Sequence, residues 1–203
     1  MPPWGTISNI EASKFDKGTA YISIDLHQMG DFDPYIYKTE DYGKSWTMIS
    51  NNIPKSYSSF VHVIREDHKT PGVLYAGTDN GLYVSVNDGN KWTRIKNNLP
   101  PAPIYWISLQ KRFDDLVIGT YGRGIYILDD ISPFREIAAN NQNEPSLLPI
   151  QDAYRFQTIQ SMKNDGTSLI RGQNPAYGAN LDFFLPDKNT KSISLSIQDE
   201  KSR

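Results

Sequence analysis

The chain has 203 residues, of which 38% are apolar, 12% aromatic and 22% charged, the profile of a folded domain with a bias towards Tyr and Trp. Its net charge is −2 and it carries no stripe of Lys and Arg, so it lacks the means to neutralise a phosphate backbone, which argues against nucleic acid as a partner. It contains no Cys, which excludes disulfides and thiolate metal sites, and no apolar run is long enough to cross a bilayer or to form a signal-peptide core.

Taken in order, residues 7–13 and 19–25 are short, partly alternating runs that predict two inner strands. Residues 27–34 (HQMGDFDP) read as a polar loop, and 35–39 with 46–49 as an outer hairpin. A second set follows, with strands over 60–65, 73–77, 81–85 and 91–95, and a third over 104–110, 116–120, 124–128 and 134–137. The sets are repeats. Sliding Tyr37 to Pro54 onto Tyr83 to Pro100, an offset of 46 residues, needs no gap and keeps Tyr, Gly, Trp, Thr, Ile, Asn, Asn and Pro in place. The run Ala76 to Tyr83 recurs as Ile118 to Tyr126, one residue longer. A period of about 40–50 residues with four short strands in each copy is the mark of a β-propeller blade.

These signals predict an all-β chain: about three four-stranded propeller blades over 1–54, 55–100 and 101–138, a linker over 139–152, and the start of an immunoglobulin-like β-sandwich over 153–203. In that last stretch strands are expected over 153–156, 179–185 and 192–197, with a turn over 164–167 and a loop over 172–178. The opening and closing residues read as parts of larger units, so the chain is expected to be a fragment.

Each outer hairpin contains one turn motif, Thr39-x-Asp41-x-Gly43-x-Ser45-Trp46 and Ser85-x-Asn87-x-Gly89-x-Lys91-Trp92. The Asx side chain accepts hydrogen bonds from backbone N–H groups further along the turn. Glycine supplies a positive φ, and the Trp opens the returning strand with a ring that calls for burial. The motif resembles the Asp-box, or BNR repeat, of sialidases, xyloglucanase-type hydrolases and sortilin-type receptors. The second copy departs from it at Asn87 and Lys91, and in the third it has decayed to 128–133, where Pro133 should end strand pairing. Asp41, Gly43, Trp46, Asn87, Gly89 and Trp92 are therefore read as structural.

The strings LYAGTDNGLYVSVNDGNKWTRIKNNLP, DDLVIGTYGRGIYILDDISPFREI and GQNPAYGANLDFFLP resemble a family of large bacterial proteins common in Bacteroidetes, known as BNR-repeat or sortilin-like glycosyl hydrolases. The resemblance implies a many-bladed propeller followed by an immunoglobulin-like domain, and an extracellular or periplasmic location. The family usually has His in its Thr-His-Gly-Arg string, where this chain has Tyr121. The hydrolase activity does not follow from the repeat, because the repeat is a structural unit.

In a blade, the loops between the second and third strands and between one blade and the next share a face. A binding surface there would draw on His27, Asp31, Asp33, Tyr57, Asp79, Asn80, Tyr105, Trp106, Tyr121 and Arg123. Aromatic rings flanked by carboxylates and an Arg suit a sugar, whose apolar face stacks on rings while polar groups fix its orientation. Each candidate has a plainer reading: Tyr105 and Trp106 as packing, Asp31 and Asp33 as turn formers, and His27, His62 and His68 as surface or strand residues with no metal spacing. Asp33 and Asp79 are the candidate catalytic carboxylates, yet a glycosidase needs a facing pair and a sialidase an Arg cluster. No complete set is visible. No cofactor is implied. The function expected is a glycan- or protein-binding module, with a glycoside hydrolase fragment or a peptide-binding propeller as alternatives.

Overall fold

The computed structural model describes residues 1–140, 144–153, 178–186 and 192–198. The chain divides into two compact units, Met1–Ala139 and Asn140–Arg203. The first unit is nearly all β, in three consecutive antiparallel sheets, and each sheet is a meander in chain order. The first sheet is β1 (Thr6–Ala12), β2 (Ala20–Leu26), β3 (Asp31–Thr39) and β4 (Thr47–Met48). The second is β5 (Val61–Glu66), β6 (Leu74–Thr78), β7 (Gly81–Ser85) and β8 (Thr93–Ile95). The third is β9 (Ile104–Gln110), β10 (Asp115–Thr120) and β11 (Ile125–Leu128), followed by helix α1 (Ser132–Ala139).

The sheets stack face to face like the blades of a propeller. Strand β5 lies against β1 and β2, and β9 lies against β5 and β6. Period-2 alternation distributes the side chains of the middle sheet between two cores. Leu74, Ala76 and Tyr83 join Tyr21, Ile36, Ile49 and Trp92 between the first and second sheets. Tyr75, Leu82 and Val84 join Ile104, Ile107, Leu116 and Ile118 between the second and third. Every residue of β6 and β7 is consequently buried, whereas no residue of β1 is.

The two Asx turns form as the motif predicts and are built alike. Asp41 Oδ1 accepts the N–H of Ser45 at 2.8 Å and Asn87 Oδ1 that of Lys91 at 2.8 Å. The Thr39 and Ser85 hydroxyls accept the N–H groups of Gly43 and Gly89, both at 2.9 Å. Both glycines are left-handed, at φ 84° and 79°, a conformation that costs glycine little. The Ser45 hydroxyl and N–H hold the Asp41 carboxyl down to about 2. A depressed carboxyl contributes stability above its unfolded value, 3.8, that is lost as pH falls through about 2. Asp41→Asn should therefore flatten the stability profile between pH 4 and 2. An unchanged acid limb in urea unfolding would count against this turn as a source of acid sensitivity.

Several expectations are corrected. The strand expected over 134–137 is part of helix α1, so the third sheet has three strands, not four. Pro133 fits the first turn of a helix, where its missing N–H has no partner to lose, and Asp130 Oδ1 accepts the Ser132 N–H at 2.9 Å just before it. The expected loop over 27–34 is shorter, because β3 begins at Asp31 and Asp31 and Asp33 lie on a strand. Trp46 is only half-buried, against a cluster of Ile22, Ile24, Leu26 and Tyr37 that no further sheet covers among the described residues.

In the second unit, β12 (Ser146–Leu147), within the stretch expected to be a linker, pairs antiparallel with β13 (Phe183–Phe184). Residues 192–197 form no strand, although Ile193, Leu195 and Ile197 alternate and are exposed. The expected strand over 153–156 apart from Ala153, the turn over 164–167 and most of the loop over 172–178 lie outside the described residues.

Candidate functional site

The face formed by the β2–β3, β6–β7 and β10–β11 loops and by the blade-to-blade connections carries a continuous row of rings. Its starting point is a defect repeated in the innermost strands. In β5 the register passes from Val61 opposite Thr78 to Val63 opposite Gly77, leaving His62 as an extra residue. In β9 it passes from Ile104 opposite Thr120 to Trp106 opposite Gly119, leaving Tyr105. A β-bulge re-aims the side chain it inserts, and here it lets Ile104 and Ile107 both enter the core, at 0% exposure, while Tyr105 and Trp106 stay outside.

The rings of His62 and Tyr105 stack at 4.0 Å between centroids. From Tyr105 the row continues to Tyr121 at 5.6 Å. In the other direction it runs from His62 to Phe60 at 5.0 Å, then to Phe32 at 6.2 Å and Tyr57 at 5.4 Å. His27 stacks on Phe60 at 4.7 Å. All three blades contribute. Each histidine is held by a carboxylate: His27 Nδ1 lies 2.7 and 2.8 Å from the two Asp25 oxygens, and His62 Nε2 lies 3.2 Å from Asp79 Oδ1. Burial raises the Tyr105 hydroxyl pKa, and the charges of Asp79 and Asp25 add to it. Tyr105 thus sits in the field of a carboxylate from each of the two preceding blades.

The expected residues divide into two groups. His27, Tyr57, Asp79, Tyr105 and Tyr121 come together through the row. Arg123 is exposed at its end, between Gly122 and Gly124 at φ 78° and 79°, a left-handed pair that fixes the turn presenting it. Asn80 is engaged locally, its side-chain oxygen accepting the Thr78 hydroxyl at 3.4 Å and its backbone carbonyl accepting from Arg94 at 2.6 Å. Asp33 forms an ion pair with Lys55. Asp31 accepts the Tyr35 hydroxyl at 2.7 Å and the Asp33 N–H at 3.0 Å, and that bond, with burial second, pushes the Tyr35 hydroxyl up to about 12. Trp106 stands apart from the row, with the Arg65 guanidinium 4.5 Å over its ring.

Asp25, Phe32, Phe60 and His62 were missed by sequence reasoning. The signal for His62 was present: it and Tyr105 are each the second residue of an innermost strand in aligned repeats. Asp25 could have been found from its spacing to His27, since an Asx carboxylate two residues before a His can reach both the backbone N–H and the ring.

A cleft of about 300 Å³ lies on the other face, lined by Tyr21, Lys38, Glu66 and Asp88 among others. Its polar groups are mutually satisfied: Glu66 accepts the Tyr21 hydroxyl at 3.1 Å and the Lys14 N–H at 3.3 Å, and Lys38 pairs with Asp88 at 2.6 Å. Among the described residues, no group of three or more His, Asp or Glu side chains is placed to hold a metal ion, and no helix is long and apolar enough to cross a membrane.

No protein-family model matches the chain, and no curated protein matches it in sequence. In structure it is similar to a GH74 enzyme of Niastella koreensis, at 17% identity and a TM-score of 0.49, over 61% of this chain and 21% of that one. It is also similar to an ancestral GH74 enzyme, at 17% identity and a TM-score of 0.46, over 59% and 14%. A third likeness is to YCF48 bound to D1 peptide, at 15% identity and a TM-score of 0.39, over 64% and 42%. The chain spans less than half the length of each.

Proposed function

We propose that the ring-lined face is a carbohydrate-binding surface, and that the chain is a propeller segment of the Asp-box type acting as a glycan-binding module of a secreted or envelope-associated protein. The observation that supports this is the row itself. Rings from three blades are held in one band, and Tyr57, Tyr105 and Tyr121 remain 85%, 51% and 73% exposed. Aromatic surface left in water is unfavourable, and a planar phenol offers an apolar face to a sugar ring while its hydroxyl stays hydrogen-bonded. The buried members, Phe60 and His62, act as supports. On this reading the second unit begins a β-sandwich that follows the propeller.

A glycan array tests the proposal directly, with Tyr105→Ala and Trp106→Ala beside the wild-type chain. Tyr105→Ala should weaken binding by about tenfold or more, as expected for a central aromatic anchor, and Trp106→Ala, outside the row, should change it little. Equal binding by the Tyr105→Ala variant, with an unchanged unfolding midpoint, would refute the assignment.

A second reading, glycoside hydrolysis, is favoured by one observation: the charges of Asp79 and Asp25 both act on Tyr105. A glycosidase requires two carboxyls across the scissile bond. On this reading Asp25 replaces Asp33, whose charge is taken by Lys55. Turnover abolished by Asp79→Asn would establish it, and binding without turnover would remove it.

A further inference from the structure

Resting on the carbohydrate reading of this face, we infer that its ligand is a linear, uncharged chain long enough to cross all three blades, and that single sugars and acidic sugars are discriminated against. The first ground is how exposure is distributed along the row. Tyr57 precedes β5 and Tyr121 follows β10, and the rings between them succeed one another at 5.4, 6.2, 5.0, 4.0 and 5.6 Å. The interior of the row, Phe60 and His62, is only 7% exposed, so the open platforms are the middle and the two ends. One sugar ring covers about as much surface as one aromatic ring and can engage one platform. A chain engages several, and each adds its own increment because the platforms are held in fixed relation by the strands beneath.

The second ground is charge. The middle platform, Tyr105, stacks on His62, whose Nε2 lies 3.2 Å from Asp79 Oδ1, and the charge of Asp25 also acts on it. Arg65 is committed elsewhere, donating to Asn9 Oδ1 at 2.8 Å and to the Ile107 carbonyl at 3.2 Å, and the exposed Arg123 follows Tyr121 at the end of the row. Lys55 is paired with Asp33. At the middle platform a sugar carboxylate would enter beside like charges, which disfavours it. An extended peptide is also disfavoured, because recognition of its main chain needs free backbone groups. Here the Asp79 and Tyr121 N–H groups already donate to the carbonyls of Phe60 at 3.1 Å and Pro103 at 2.9 Å.

Calorimetric titration with cello- and manno-oligosaccharides of one to six units, and with oligogalacturonates of the same lengths, tests this. Affinity in at least one neutral series should rise about tenfold or more between one unit and four, then level off. The oligogalacturonates should bind about tenfold more weakly at equal length, and Asp25→Asn with Asp79→Asn should narrow that gap. Length-independent affinity, acidic chains bound as tightly as neutral ones, or no binding by either neutral series would overturn the inference. If the glycan array shows Tyr105-dependent binding and these titrations fail, this inference alone falls. A blank array removes the carbohydrate reading as well.

Discussion

Replacing Arg135 by Ala is expected to lower the unfolding free energy by about 3–5 kcal/mol, the cost of stripping one partner from a buried ionic cluster. Arg135 lies on helix α1 and reaches two loops at once. Its Nε and one Nη atom donate to the two Asp67 oxygens at 2.9 and 3.0 Å, and its Nη atoms lie 3.1 and 2.9 Å from the two Asp114 oxygens. The three residues are 8%, 0% and 8% exposed, in the order Arg135, Asp67, Asp114. The Tyr75 hydroxyl adds a further bond to Asp67 at 3.2 Å. Removing the guanidinium would strip buried Asp67 of its charge partner and leave Asp114 with Lys69 alone, at 2.7 Å. Arg135→Met combined with Asp67→Asn and Asp114→Asn should recover part of the loss, because it removes the charges together. Denaturant unfolding decides the matter, and a change below about 1 kcal/mol for Arg135→Ala would mean that the clasp adds little to stability.

The same cluster sets an acid dependence. The His68 side chain is 7% exposed, and its Nε2 lies 3.1 Å from Asp114 Oδ1 without hydrogen-bond geometry, so that neither ring nitrogen is hydrogen-bonded among the described residues. Burial, opposed by the charge of Asp67, holds its pKa below the ordinary 6.5. The unfolded chain therefore takes up a proton more readily than the folded one. Stability from this site is full above about pH 6.5 and is lost as pH falls through the lower folded value. Asp114 contributes a second, lower limb: burial opposes its charge, but bonds from Arg135 and Lys69 outweigh it and hold the carboxyl below 3.8. His68→Phe should remove the upper limb from the stability profile and leave the lower one.

Trp92→Ala should be the other large loss, about 3–5 kcal/mol, and Trp46→Ala no more than about half of that. The two tryptophans occupy the same position of the repeat. Trp92 is 4% exposed, its indole N–H donates to the Ile49 carbonyl at 2.6 Å, and its N–H donates to Asn52 Oδ1 at 2.9 Å, so that it fastens the second sheet to the first. Trp46 donates to the Gly43 carbonyl at 3.1 Å within its own turn and remains half-buried. Removing equal volumes leaves unequal cavities, because only one of the rings is enclosed on both sides. Equal losses at the two positions would show that the ring matters to the turn and not to the packing of sheets.

The aligned repeats from Tyr37 and Tyr83 disclosed the sheets, the Asx turns at Asp41 and Asn87, and the side of the blades on which loops such as that of Asp79 gather. These follow from local chemistry: alternation sets the strand faces, and an Asx residue followed by glycine closes a hairpin whatever lies around it. Helix α1 is not legible in that way, because the repeat assigns residues 134–137 to a fourth strand, whereas the pull of Asp67 and Asp114 on Arg135 acts between residues 68 and 21 positions apart. The ring row escaped it for the same reason. That His62 stacks on Tyr105, that the charges of Asp25 and Asp79 both act on Tyr105, and that Arg65 packs over Trp106 are consequences of bulges and of the packing of one sheet on the next. The order of residues along the chain therefore determined which side chains each strand could offer, through its period of two. Only the stacking of the blades decided which of them meet, since ring contacts and ion pairs depend on distance in space and not on separation in sequence.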